Sequence, residues 1–315
     1  MTRLALALGA ALALLAAAAC SQQQEQPKPP TPAKVTPPVK ADTPPTKVDN
    51  PPTPLAGGGG TVFVKRPPAV GDKSEEKVGM VMSMQMSIDP TGKGQVQKAT
   101  METSETETRQ EEVLAVQGEA VTKVKVTFAE KTATIKEEGK ERKRASAVAG
   151  KTYVVEAKDG KIIVLLDGDR PATGLQARVV KEAYETLGKV DALYAGVPRR
   201  PLKPGDKVEE LAKAMKEVMM SRAKEMDVTG VYVVFKEAQG DEGVFEIDLV
   251  LGKVEKPMKF EMKLKGQARM SLKTGQPIST KFTGPVTVGS TDGDQGKMKI
   301  QGAGTMELSL DRKKL

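Results

Sequence analysis

Few residues in this chain could do covalent or acid–base chemistry. Among 315 residues there is no histidine and one cysteine, Cys20. A His-dependent triad, a Cys–His pair, a His-ligated zinc site and an intrachain disulfide are therefore all excluded. Paired carboxylates remain, but glycosidase-type sites usually work between aromatic walls, and aromatics are 3% of this chain. "LDGDRP" (166–171) and "STDGDQG" (290–296) resemble fragments of calcium loops without the spacing of a full one. Asp-Gly is also the commonest hairpin turn pair, so both are read as turns. No catalytic residue, metal ligand or cofactor site is assigned. What remains is the Cys20 thiol and an unusual use of methionine.

The fifteen methionines are not scattered. In "GMVMSMQMSID" (79–89), Met80, Met82, Met84, Met86 and Ile88 alternate with Val81, Ser83, Gln85, Ser87 and Asp89. A period of two is a strand with one apolar face. In "MKFEMKLKGQARMSLK" (258–273), Met258, Phe260, Met262, Leu264, Ala268, Met270 and Leu272 share one phase, with lysines and other polar residues in the other. Met298 and Met306 keep the same phase in the last strand pattern. Methionine is unbranched and polarizable and repacks around irregular partners. A wall of Met80, Met82, Met84, Met86, Phe260, Met262 and Met270 therefore suits a pocket for acyl chains. The alternative is an ordinary core in which the same side chains fill space.

The segment that places Cys20 opens the chain: "MTRLALALGAALALLAAAAC". One basic residue, Arg3, precedes a Leu/Ala run too short to span a bilayer comfortably and laid out as a secretory signal. "AAAC" at 17–20 resembles the lipobox of bacterial lipoproteins, with Ala17 where family patterns usually carry leucine. The resemblance implies cleavage after residue 19 and acylation of Cys20, and so a membrane anchor in the cell envelope. Ser21 after the cysteine implies the outer membrane, on its periplasmic or surface side, ahead of the inner one.

Residues 20–60 read as an anchored spacer. Eleven prolines fall between 27 and 54, in the quasi-repeats "TPPVKAD", "TPPTKVD" and "NPPTPLA". Proline at that density excludes helix and sheet ladders, and an extended polyproline stalk of this length reaches at most about 90 Å. "GGGG" at 57–60 adds a hinge. The formal charge of +8 with so few aromatics does not suit stacking on bases, so nucleic acid is not an expected partner.

Residues 61–315 are expected to form a single β-rich domain. Strand patterns occupy 94–108, 112–117, 121–128, 131–137, 151–157 and 161–166 before mid-chain, then 244–251, 258–273, 278–288 and 297–310. Each has one wet and one dry face, as in antiparallel sheets. "KEEGKERKRA" (136–145) reads as a solvated hairpin tip. At mid-chain the period becomes helical, over about 174–194 and 207–226. Similar turn sequences in 61–170 and 204–315 are consistent either with a duplicated meander or with recurrent turn chemistry. The fold class expected is α+β: a large curved antiparallel sheet of ten or eleven strands, a half-barrel or open barrel, with two mid-chain amphipathic helices. By element count this resembles LolA/LolB-like and LppX-like half-barrel lipoproteins, at the level of fold alone.

Two functional readings follow. The first is a lipid-anchored, non-enzymatic envelope protein that holds a hydrophobic or lipid ligand in the Met-lined half-barrel. The second is an envelope protein–protein interaction or assembly module with a solid core and no ligand.

Overall fold

A computed structural model describes residues 60–315 apart from 90–93, 95, 138, 223–226, 256–257 and 291–298. Cys20, the proline stalk, Met298 and most of "STDGDQG" lie outside the described residues.

Among the described residues, strands that mostly have one dry face assemble into one open antiparallel sheet of twelve strands, with three helices. The strands are β1 (Lys73–Asp89), β2 (Gln97–Gln117), β3 (Ala120–Glu137), β4 (Lys140–Ala145), β5 (Lys151–Lys158), β6 (Lys161–Leu166) and β7 (Arg170–Pro171), then β8 (Asp227–Gln239), β9 (Glu242–Glu255), β10 (Met258–Ser271), β11 (Pro277–Ser290) and β12 (Lys299–Lys314). The helices α1 (Gly174–Ala183), α2 (Ala192–Gly196) and α3 (Glu209–Arg222) lie between β7 and β8. The spatial order is β7-β6-β5-β3-β2-β1-β12-β11-β10-β9-β8, with β4 paired to the far end of β3. Thus the meander before the helices and the meander after them meet at one seam. There β1 and β12 stay in register from Ser74 opposite Lys314 to Asp89 opposite Lys299.

Several elements differ from their sequence reading. The patterns at 94–108 and 112–117 are one strand, β2, and those at 121–128 and 131–137 are one strand, β3. β8 carries no clean alternation and was not among the expected strands, although Val228, Val233 and Phe235 are buried. The helical spacing at 174–194 breaks after Ala183. The chain turns there so that Gly188, at φ +85, can donate its N–H to the Val121 carbonyl at 2.8 Å. A Cβ at that glycine would stand 2.8 Å from the Ala157 Cβ, so the close approach needs glycine. Asp191 then starts α2 by accepting from the Leu193 and Tyr194 N–H groups at 2.8 and 3.0 Å. The "LDGDRP" segment is the β6–β7 turn, with Asp167 and Gly168 both at positive φ.

Curvature comes from glycine. On the concave side, Gly266 lies opposite Phe282, Gly284 opposite Met306, and Gly304 opposite Met84. These three positions step diagonally across β10, β11 and β12. A Cβ there would sit 2.2 Å from the Lys281 carbonyl oxygen, 2.0 Å from that of Lys263 and 1.9 Å from that of Ser83. The missing side chains form a crease along which the sheet curls. At one edge, residues 205–208 add a short pairing to β8: the Phe235 N–H donates to Asp206 O and the Val208 N–H to Val233 O, each at 2.9 Å. That covers an otherwise open strand.

Two cores fill the concavity. The larger packs β1 and β8–β12 beneath α2 and α3, with Phe63, Phe235 and Phe245 in mutual ring contact. The smaller packs β3, β5 and β6 beneath α1, with Phe128 edge-on to Tyr153 at 6.1 Å.

Candidate functional site: a cleft with an ionic floor

Between the two cores, the concave face changes character. In β2 the inward row is Met101, Thr103, Glu105, Glu107, Arg109, Glu111 and Val113, an apolar–polar–apolar sequence along one strand face. Arg109 is 1% exposed. Its Nη1 donates to Glu107 at 2.8 Å, its Nη2 to Glu76 of β1, and its Nε lies 3.2 Å from Glu111. Lys131 of β3 bridges Glu107 at 2.6 Å and Glu105 at 3.6 Å, and Arg312 of β12 reaches Glu76 at 3.7 Å. The Tyr184 hydroxyl donates to Glu111. Four strands and the end of α1 thus meet in one charged network.

Burial here is offset by pairing. Glu105 is held above the usual carboxylate range by burial and by the neighbouring Glu107 charge, against the opposing pull of Lys131. For Lys131 burial works against the charge, but Glu107 and Glu105 outweigh it, so its ammonium is held above the usual lysine range. Each buried charge has a partner, as the low local dielectric requires. Among the described residues no group of three or more His, Cys, Asp or Glu side chains is arranged to hold a metal ion.

Above this floor opens a cleft of about 560 Å³. Glu76, Glu111 and Arg312 form its base, Val121 and Val124 one wall, and Leu310 and Ile278 the other. Tyr184 and Leu187, from the segment after α1, and Leu193 and Tyr194 of α2 form its roof. The size falls in the range of small-molecule sites, and the mixture of apolar walls with a few convergent polar groups is their usual composition. Tyr194 is 6% exposed, yet its hydroxyl has no hydrogen-bond partner. Burial and the Glu119 charge hold that phenol above its usual pKa, so it stays a donor. Outside the cleft, Lys65 donates to Ala195 O at 2.8 Å, with its ammonium 5.5 Å from the Tyr194 ring centroid.

The methionine wall lies elsewhere. Met80, Met82, Met84, Met262 and Met270 are 0–1% exposed in the larger core, with Phe260 near its edge and Met86 half-buried. The same core holds Leu211, Met215, Val218 and Met219 of α3. None of the seven expected lining residues borders the cleft. Its charged base, Glu76, Glu111 and Arg312, carries no site signal in the sequence because glutamate and arginine in strand phase match the pattern of a solvated face. The one available signal was the apolar pair Met101 and Val113 bracketing the charged run in the same phase.

No family model matches the chain, and no curated protein matches it. Among solved structures it is similar to DynF from the dynemicin biosynthesis pathway of Micromonospora chersina, at 7% identity over 83% of this chain and 92% of that one, with a TM-score of 0.22. It is also similar to the beta-barrel-like protein of a domain of unknown function, DUF1849, from Brucella abortus, at 15% identity over 75% of this chain and 98% of that one, with a TM-score of 0.17. The chain is an α+β protein built on an open antiparallel sheet.

Proposed function

We propose that this protein is a lipid-anchored, non-enzymatic envelope protein that binds an amphiphilic ligand in the cleft between its two cores. The observation that carries the reading is the cleft: apolar walls over an ion-paired floor, with the buried, unpartnered Tyr194 hydroxyl at its roof. An apolar chain would lie along Val121, Val124, Leu187 and Leu310, and a polar group would accept from Tyr194. The ligand site thus moves from the methionine face to the seam. Cys20 supplies the membrane anchor.

Native mass spectrometry of the purified chain, with uptake of a fluorescent acyl probe, tests the ligand. Tyr194→Phe and Val124→Glu should weaken probe uptake, the second more strongly. A chain that purifies empty and takes up no probe overturns the reading. Labelled palmitate tests the anchor: incorporation should be lost in Cys20→Ala, and label retained by that variant removes the anchor from the proposal.

The rival reading, an envelope interaction module without a ligand, is favoured by the complete burial of Met80, Met82 and Met84. Crosslinking to one dominant envelope protein, with no probe uptake, would select it.

A further inference from the structure

The base of the cleft holds two arginines that are satisfied to different degrees. Across the seam, register sets Arg109 of β2, Glu76 of β1 and Arg312 of β12 side by side on the concave face. The row reads cation, anion, cation. Arg109 is 1% exposed and enclosed by Glu76, Glu107 and Glu111. The Arg312 side chain is 29% exposed, and among the described residues its one acidic partner is Glu76, 3.7 Å from Nε. Its Nη2 donates to the Ser74 hydroxyl at 3.4 Å. Both contacts are long for a guanidinium, whose charge-assisted bonds close to about 2.7–2.9 Å. On its other side the row runs into the apolar wall. Ser279 of β11 pairs with Asp311, which places Ile278 beside Arg312, and Leu310 precedes it on the same face.

The carboxylates of the base are already engaged. Glu76 lies between the two guanidinium groups, and Glu111 accepts from the Tyr184 hydroxyl and lies 3.2 Å from Arg109 Nε. At the roof, the Tyr194 hydroxyl is buried without a partner. What base and roof still offer is therefore donor capacity: the charged fork of Arg312 below and a phenol above. A ligand that satisfies both brings acceptors, and the one that completes the row brings a negative charge.

We propose that the ligand of the cleft is a single-chain acid, an acyl chain whose carboxylate or phosphate head accepts from the Arg312 guanidinium. The proposal rests on the cleft reading and adds the charge of the head group to it. The planar fork of Arg312 matches two acid oxygens at once. The chain then leaves along Ile278 and Leu310, within the cleft of about 560 Å³. With the acid in place, Arg312 has an anion on each side, Glu76 and the ligand.

The test uses the chain from Ser21 onward, which keeps every described residue and has no acyl group to compete for the cleft. Four ligands share one dodecyl chain and differ in the head: laurate, dodecyl phosphate, dodecanol and dodecyltrimethylammonium. Each is titrated, below the concentration at which it self-associates, against the neutral fluorescent probe N-phenyl-1-naphthylamine. At least one of the two acids should displace the probe about tenfold more tightly than dodecanol, and the ammonium should be weakest. The ratio of laurate to dodecyl phosphate then assigns the head as carboxylate or phosphate. Arg312→Gln should bring the acids to within about twofold of dodecanol and leave dodecanol and the probe as in the parent. Arg312→Lys, which keeps the charge without the fork, should fall between. Lys281→Gln removes the same charge from an exposed site outside the cleft and should change nothing. Dodecanol binding as tightly as both acids overturns the proposal and leaves the cleft reading standing. So does an Arg312→Gln variant that keeps the preference for acid, or a Lys281→Gln variant that loses as much. No uptake of probe or ligand by the parent overturns the cleft reading itself, and this proposal with it. The comparison of heads in the parent needs no variant, so it decides even if Arg312→Gln does not fold.

Discussion

Gly304 of β12 lies directly opposite Met84 of β1, and the backbones are so close that a Cβ on the glycine would stand 2.8 Å from the Met84 Cα and 1.9 Å from the Ser83 carbonyl oxygen. The flexible end of a side chain could move aside; two strand backbones in register cannot. Gly304→Ala should therefore destabilise the fold by roughly 2–3 kcal/mol or more, as an overpacked site that cannot relax. Gly289, whose Cβ would meet nothing, is the reference: Gly289→Ala should stay within about 0.5 kcal/mol of the parent. Urea unfolding of both variants measures the contrast, and equal stabilities would contradict the crease.

The methionines opposite that crease fill volume. Met82→Val with Met84→Val removes buried atoms from sites that are 0% exposed. The expected loss is on the order of 1 kcal/mol per site, despite the better strand propensity of valine. Uptake of a fluorescent acyl probe should not change, because neither side chain borders the cleft. Unchanged stability with altered uptake would return the ligand to the methionine face.

Arg109 holds together three carboxylates from two strands. Arg109→Met keeps length and apolar bulk but leaves Glu76, Glu107 and Glu111 without the cation they surround. A loss of about 3–5 kcal/mol is expected by chemical denaturation, with Arg109→Lys falling between it and the parent. A neutral outcome would mean that the network adds nothing to stability.

Glu105 supplies a pH signature. Its folded-state pKa is raised above the unfolded value by burial. The stability it contributes is therefore fully present below the unfolded carboxylate pKa and is lost as pH rises through the folded pKa. Glu105→Gln removes that ionisation while keeping shape. The variant should gain on the parent at neutral pH, and the gap should narrow as pH falls into the range where the parent carboxyl protonates. Melting curves from pH 7 downward read this directly. A gap that widens toward acid would reverse the sign and refute the assignment.

What the sequence determined by itself is the set of elements with one dry face. Alternation from Met80 to Ile88 and from Met258 to Leu272 is a local property, because successive strand residues point to opposite sides whatever lies across from them. Asp167-Gly168 and the helical period over about 207–226 are local for the same reason. The tertiary structure alone decided which faces meet. The β1–β12 seam joins residues that stand 240 apart, such as Ser74 and Lys314, and no local pattern announces a pairing at that separation. The inward row from Glu105 to Glu111 was invisible because charged residues in strand phase look solvated until Lys131 arrives from β3, and Glu76 and Arg312 from β1 and β12, to complete one ion-paired network around Arg109. Likewise, a methionine face is equally apolar whether it lines a void or fills a core. Here the helix packed over it made it a core, and the space between the two cores became the cleft.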